Sequence, residues 1–135
     1  MVRRNRRHHG LSCMTKQQAE LIIGSEVMIE EFPQRRFRAS CVDCFGVTLA
    51  EDGYSVVVAC RRLVAMNYAS SRRFVLERDG YRCVNCGAYG AMQCDHKQMR
   101  SHGRDDRPEN LIALCDGCHK IRHKRGRNFY GHRKT

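Results

Sequence analysis

No apolar run in the chain approaches the length that a membrane-spanning helix needs, which excludes a helical integral membrane protein. Prolines number only two, Pro33 and Pro108, and neither an internal repeat nor a low-complexity linker is visible. The opening residues, Met1-Val2-Arg3-Arg4-Asn5-Arg6-Arg7, are not followed by an apolar segment, which argues against a secretory signal and for the cytoplasm. Acidic side chains are scarce, 14 against 25 Lys and Arg. What is present is a globular composition, 41% hydrophobic and 29% charged, in 135 residues. That length makes room for one ordinary domain, or for one small catalytic unit with an appendage.

The excess positive charge sits at the two ends. Arg3, Arg4, Arg6 and Arg7 lie at one, and Lys120, Arg122, Lys124, Arg125, Arg127, Arg133 and Lys134 at the other. Together they account for the whole net charge of +11, while the acidic and basic side chains between them cancel. A neutral body with two basic arms suits a polyanion such as nucleic acid. Solvated tails that aid solubility are the competing explanation, and charge alone does not decide between them. Nine cysteines, an odd number without a secretory signal, argue against a disulfide framework and for metal ligation in a reducing compartment.

Three stretches are distinguishable: a basic arm over 1–13, a mixed α/β segment of unknown role over 14–69, and a histidine- and cysteine-rich unit over 70–135. Thr15-Lys16-Gln17-Gln18 has the form of a capping box and predicts a short helix through Ile23, stopped by Gly24. Phe45 to Ala50 and Tyr54 to Cys60 read as strands of a hairpin turning at Glu51-Asp52-Gly53, with Val56-Val57-Val58 a buried strand. Two short helices follow, Arg61 to Ala69 and, capped by Ser70 or Ser71, Arg72 to Arg78, the second ended by Asp79-Gly80. Beyond a cysteine turn at Tyr81 to Gly87 come a strand at Ala91 to Lys97, a polar loop from Gln98 to Glu109, and an apolar strand at Leu111 to Leu114. A final helix opens at Asp116 or Gly117.

Cys83-Val84-Asn85-Cys86 and Cys115-Asp116-Gly117-Cys118 are two C-x2-C pairs. Each tight turn points two thiolates at one ion, and two turns complete a closed tetrahedral site, the arrangement of structural Zn²⁺. Cys41-Val42-Asp43-Cys44 is a third such pair without an obvious mate. A regular hairpin about Asp52 would bring Cys44 opposite Cys60, with Cys13, His8 or His9 as a fourth ligand; ordinary buried thiols are the alternative. Cys94 is most simply an apolar residue of its strand. His119 and His123, four apart on the predicted helix, share one face and can share one ion.

The order Asp95-His96, Asn110-Leu111, Cys118-His119, with the cysteine pairs on either side, resembles the HNH endonuclease family over the C-terminal half. The resemblance implies an α+β fold: a small ββα-metal (His-Me finger) unit built around the four-cysteine zinc site, beside the mixed N-terminal segment. It implies metal-dependent hydrolysis of DNA phosphodiesters, with His96 at the general-base position, since an imidazole can accept a proton from water near neutrality. It further implies that Asp95 joins His119 and His123 as a ligand of an open catalytic ion, and that Asn110 braces the loop carrying the base. His119 thus belongs to both the catalytic and the ligand set.

Family members often carry His where Asp95 stands and Lys near His123. The carboxylate favours Mg²⁺ or Mn²⁺, and the imidazoles pull toward Mn²⁺, Ni²⁺ or Zn²⁺. Arg100, Arg104, Lys120, Arg122, Lys124, Arg125 and Arg127 are candidate contacts to the nucleic acid, with Arg107 in the same loop; a solvated-loop role is the alternative for the loop arginines. The expected partner is double-stranded DNA, inside a bacterial or phage-infected cell and away from membranes, with dimerisation open because one site cuts one strand. The competing function is a non-catalytic zinc module that binds nucleic acid. A toxin-like or defence nuclease would use the same chemistry.

Overall fold

The computed structural model of the chain describes residues 14–125. Helix α1, Lys16–Ile23, begins with the reciprocal capping box: Thr15 Oγ1 accepts from Gln18 N at 3.1 Å, and Gln18 Oε1 from Thr15 N at 2.9 Å. Gly24 ends it at a φ of 79°, its N–H on the carbonyl of Glu20. Ala19, Ile22 and Ile23 form the buried face. Strands β1 (Met28–Phe32), β2 (Arg36–Val42) and β3 (Thr48–Gly53) then make an antiparallel sheet in the order β1-β2-β3. The β2–β3 connection is drawn tight by Asp43, whose carboxylate accepts from the N–H groups of Phe45 and Val47, each at 2.9 Å.

Helix α2, Val56–Arg78, corrects the expectation for this part of the chain. Glu51-Asp52-Gly53 finishes β3 rather than turning a hairpin, and Val56-Val57-Val58 is the first turn of a 23-residue helix rather than a buried strand. Local valine content favours a strand, but Ser55 caps the segment, its Oγ accepting from Val58 N at 3.3 Å. Packing on α1 and the sheet then buries Ala59, Cys60, Leu63 and Val64 at helical spacing. Gly53 permits the approach: a Cβ there would sit 2.6 Å from the backbone N of Ala59. The two short helices expected at 61–69 and 72–78 are parts of this one helix. Ser70 and Ser71 lie in its interior, and it runs straight across the expected boundary at 69/70.

The second half begins where α2 ends. Asp79 Oδ2 accepts from Ala113 N at 3.0 Å, and Arg78 donates to the carbonyls of Pro108 and Leu111, each at 2.8 Å. A cysteine knuckle follows, with Cys83 N bonded to Ala88 O and Gly87 N to Cys83 O. Strands β4 (Met92–His96) and β5 (Leu111–Cys115) pair antiparallel, with His96 opposite Leu111 and Met92 opposite Cys115. Helix α3, Asp116–Arg125, completes a ββα unit. The fold is therefore α+β. One core gathers Met14, Ile22, Val27, Ala39, Leu63 and Val64, and the other Leu76, Met92, Ile112, Leu114 and Cys118. Helix α2 contributes to both.

Candidate active site and metal centre

Cys83 and Cys86 come from the knuckle, Cys115 from the end of β5 and Cys118 from the first turn of α3. Their four sulfurs lie within 4.8 Å of one another. Cys86 Sγ and Cys115 Sγ are 3.7 Å apart. Asn85 Nδ2 donates to Cys118 Sγ at 3.3 Å, and Cys118 N to Cys115 Sγ at 3.4 Å, contacts that suit thiolates. Burial opposes ionisation of Cys83, but the backbone N–H groups of Cys115, Cys86 and Asn85 bring its thiol down to about 6. At Cys118 the Asn85 amide favours the thiolate, yet burial and the three neighbouring thiols push it up to about 12. One thiolate forms readily and further ones only against mutual repulsion, which a cation relieves. The four cysteines are positioned to bind a metal ion.

The third C-x2-C pair does not build a comparable site. Cys60 is on α2 and fully buried in the first core, Cys41 is buried on β2, and Cys44 is exposed. The hairpin that would have set Cys44 against Cys60 does not exist. Cys13, His8 and His9 lie outside the described residues. Among those described, Cys, His, Asp and Glu side chains gather in threes or more at two places only: the four cysteines, and Asp95, His119 and His123. Cys94 is half-buried in β4, and burial pushes its thiol up to about 11.

The second group opens on a cavity of about 460 Å³ whose lining includes Tyr68, Asp95, His96, Arg100, His119 and His123. His119 and His123 project from one face of α3, with their Nε2 atoms 3.0 Å apart. Asp95 Oδ2 lies 3.6 Å from His123 Nε2, and its Oδ1 accepts from His96 N at 2.9 Å. Ligand atoms of all three fall within 4.8 Å of one another. His96, only 7% exposed, places Nε2 2.7 Å from Asp106 Oδ1 and lies parallel to the Tyr68 ring, centroids 5.8 Å apart. Asn110 ties the two ends of the intervening loop together. Its Oδ1 accepts from Gln98 N at 2.9 Å, its Nδ2 donates to Asp105 O at 2.7 Å, and its carbonyl accepts from Lys97 N at 2.7 Å.

The arginines divide. Arg100 lines the cavity, its guanidinium 5.3 Å from the centre of the Tyr68 ring. Arg104, expected as a phosphate contact, is turned inward onto Asp106, with Nη2 2.8 Å from Oδ2. Arg122, expected in the basic surface of the last helix, is 5% exposed. It bonds Asp95 Oδ2 at 2.6 Å and the Lys97 carbonyl at 2.9 Å. Each sits opposite a buried carboxylate that needs a counter-charge, and Arg122 also lines the cavity. Arg107 pairs with Asp105 and Lys120 with Asp116, each at the surface, and Lys124 is exposed. The side chain of Arg125, Arg127 with the rest of 126–135, and the basic arm over 1–13 lie outside the described residues.

Sequence reasoning missed Tyr68, Asp106 and the pairing of Arg104. Asp106 is fully buried although its neighbours form a polar loop, and no local pattern marks it.

A sequence profile described as HNH endonuclease matches residues 83–125, which hold both cysteine pairs and every ligand of the cavity. A protein of Lactococcus phage SK1 named as a probable HNH endonuclease is 37% identical, in a match covering 42% of this chain and 71% of that protein. No solved structure matches the chain significantly. Two paired strands and a helix, a four-thiol cluster, and a carboxylate with three imidazoles around one cavity agree with that relationship. The chain belongs to the HNH endonuclease family.

Proposed function

We propose that the protein hydrolyses DNA phosphodiester bonds in a divalent-metal-dependent reaction with His96 as general base. The observation that carries this reading is the convergence of His96 with Asp95, His119 and His123 on one cavity. The donor set fits a cation: two imidazole nitrogens 3.0 Å apart face each other beside a carboxylate, and three protein donors leave positions for phosphate oxygen and water. When bound, such an ion supplies Lewis acidity to the scissile phosphate and its leaving 3′ oxygen. The chain's own residues supply the rest. His96 takes the proton from the attacking water, Asn110 fixes the loop that follows His96, and Arg100 offers a cation at the cavity wall. The carboxylate favours Mg²⁺ or Mn²⁺, and the imidazoles admit Ni²⁺ or Zn²⁺. The four-thiol site, with no position left open, is a structural Zn²⁺ site. A non-catalytic zinc module has no use for the second group and is not favoured.

The test is conversion of supercoiled plasmid to nicked or linear forms by purified protein with each divalent metal in turn, beside His96→Ala. Removal of a general base costs about 10² to 10⁴ in rate with ground-state binding nearly intact. His96→Ala is expected to bind DNA and hold its thiolate-bound zinc like wild type, and to cut slower by that factor. Equal rates would show that His96 is not the base. No cutting with any metal would return the protein to the zinc-module reading.

A further inference from the structure

Asp106 is fully buried in a loop that is otherwise polar, next to His96, which lines the cavity while Asp106 does not. Its Oδ1 is 2.7 Å from His96 Nε2. Arg104 grips both oxygens, with Nε 3.1 Å from Oδ1 and 3.0 Å from Oδ2. Burial alone would push the Asp106 carboxyl up, but the bonds from His96 and Arg104 outweigh it and hold it below the usual carboxylate range. An ionised carboxylate can only accept, so Nε2 must donate. A neutral His96 then carries its proton on Nε2 and its lone pair on Nδ1. The N-terminal half holds this arrangement in place. Asp106 N donates to the Ile22 carbonyl at the end of α1 at 2.9 Å. The Arg107 stem packs on Gly24, where a Cβ would come within 2.2 Å of it. Tyr68 fixes the plane of the ring from α2.

We infer that Asp106 is a positioning residue for the hydrolysis, selecting the Nε2–H tautomer of His96 and so presenting Nδ1 as the basic atom toward the cavity. This inference rests on the assignment of His96 as the base. No proton reaches Asp106 in the cycle: Nδ1 takes one from water, and the carboxylate stabilises the imidazolium so formed.

Two measurements on the full chain test it. The first is a long-range ¹H–¹⁵N spectrum of histidine-labelled protein above the titration range of imidazole. The His96 signals are identified by their loss in His96→Ala. A protonated Nε2 and an unprotonated Nδ1 are expected; the opposite tautomer overturns the inference, whatever any variant does. The second is Asp106→Asn, whose amide can turn its NH₂ to Nε2 and stabilise the Nδ1–H form. Where a carboxylate orients a catalytic histidine, the Asp→Asn change costs about 10⁴ in kcat. The expectation here is a fall in kcat on the order of 10²-fold or more, with KM and DNA affinity within about twofold and zinc content unchanged. Wild-type kcat in a folded Asp106→Asn overturns the inference while leaving the base assignment standing. If His96→Ala itself cuts like wild type, the base assignment fails and the catalytic role of Asp106 falls with it, although the tautomer measurement still reports the geometry.

Discussion

Asn110 makes three hydrogen bonds across the mouth of one loop, two of them from its side chain, and those two determine what its loss should do. Asn110→Ala leaves the N–H of Gln98 and the carbonyl of Asp105 without their partner, at about 1 kcal/mol per bond. The expected outcome is a lowered denaturation midpoint together with slower plasmid cutting, because the loop between Lys97 and Asn110 also carries Asp106. Unchanged stability with slower cutting would instead give the amide a direct part in the chemistry. At this scale the sequence was readable where a role depends on neighbours in the chain. Thr15 and Gln18 announce their own capping box, and Cys83, Cys86, Cys115 and Cys118 announce theirs by spacing. Asp106 was unreadable because its partner is ten residues away across a loop. Arg122 was unreadable because a run of cations on a helix gives no sign of which member turns inward to a carboxylate on a strand.

At the scale of elements, helix α2 is where sequence and structure part. Val56-Val57-Val58 and the serines at 70 and 71 each carry local preferences for something other than a long helix. Those preferences amount to tenths of a kcal/mol per residue and are overridden by burial of Leu63, Val64, Val75 and Leu76 on one continuous element. Strands β4 and β5 and helix α3 were legible because apolar alternation, turn residues and ligand spacing agree there. The junction between α2 and β5 gives a pH prediction. Burial would raise the Asp79 carboxyl, but the Arg78 guanidinium and the N–H of Ala113 hold it below the ordinary value. A depressed carboxyl stabilises the fold above its unfolded pKa of about 3.9 and loses that contribution as pH falls through the lower folded value. Asp79→Asn is therefore expected to unfold at lower denaturant than wild type, by a constant margin from pH 7 to about pH 5, with the margin shrinking below about pH 4. A margin that widened in acid would contradict the assignment.

For the whole molecule, the excess positive charge lies toward the two ends, although Arg122 of that set is buried against Asp95, and Arg104 is likewise paired internally with Asp106. Binding to DNA should therefore weaken steeply with salt. If the ends neutralise about six phosphates, affinity falls by orders of magnitude between low and physiological ionic strength. Removal of residues 1–7 and 124–135 should flatten a plot of log affinity against log salt, measured by fluorescence anisotropy on a labelled duplex. An unchanged slope would move the contacts to the body, where Arg100 is the cation best placed. No helix among the described residues is long and apolar enough to cross a membrane.

Because α2 runs through residue 69 without a break, the ββα unit is not a portable cassette. A graft beginning at residue 70 would carry every ligand named above, yet leave behind the aromatic ring of Tyr68 and the Ile22 carbonyl that steady His96 and Asp106. Exchange of this unit between proteins would have to proceed with α1 and α2 attached, so recombination that respects the ligand side chains alone would yield chains that keep those side chains and lose the contacts that steady His96.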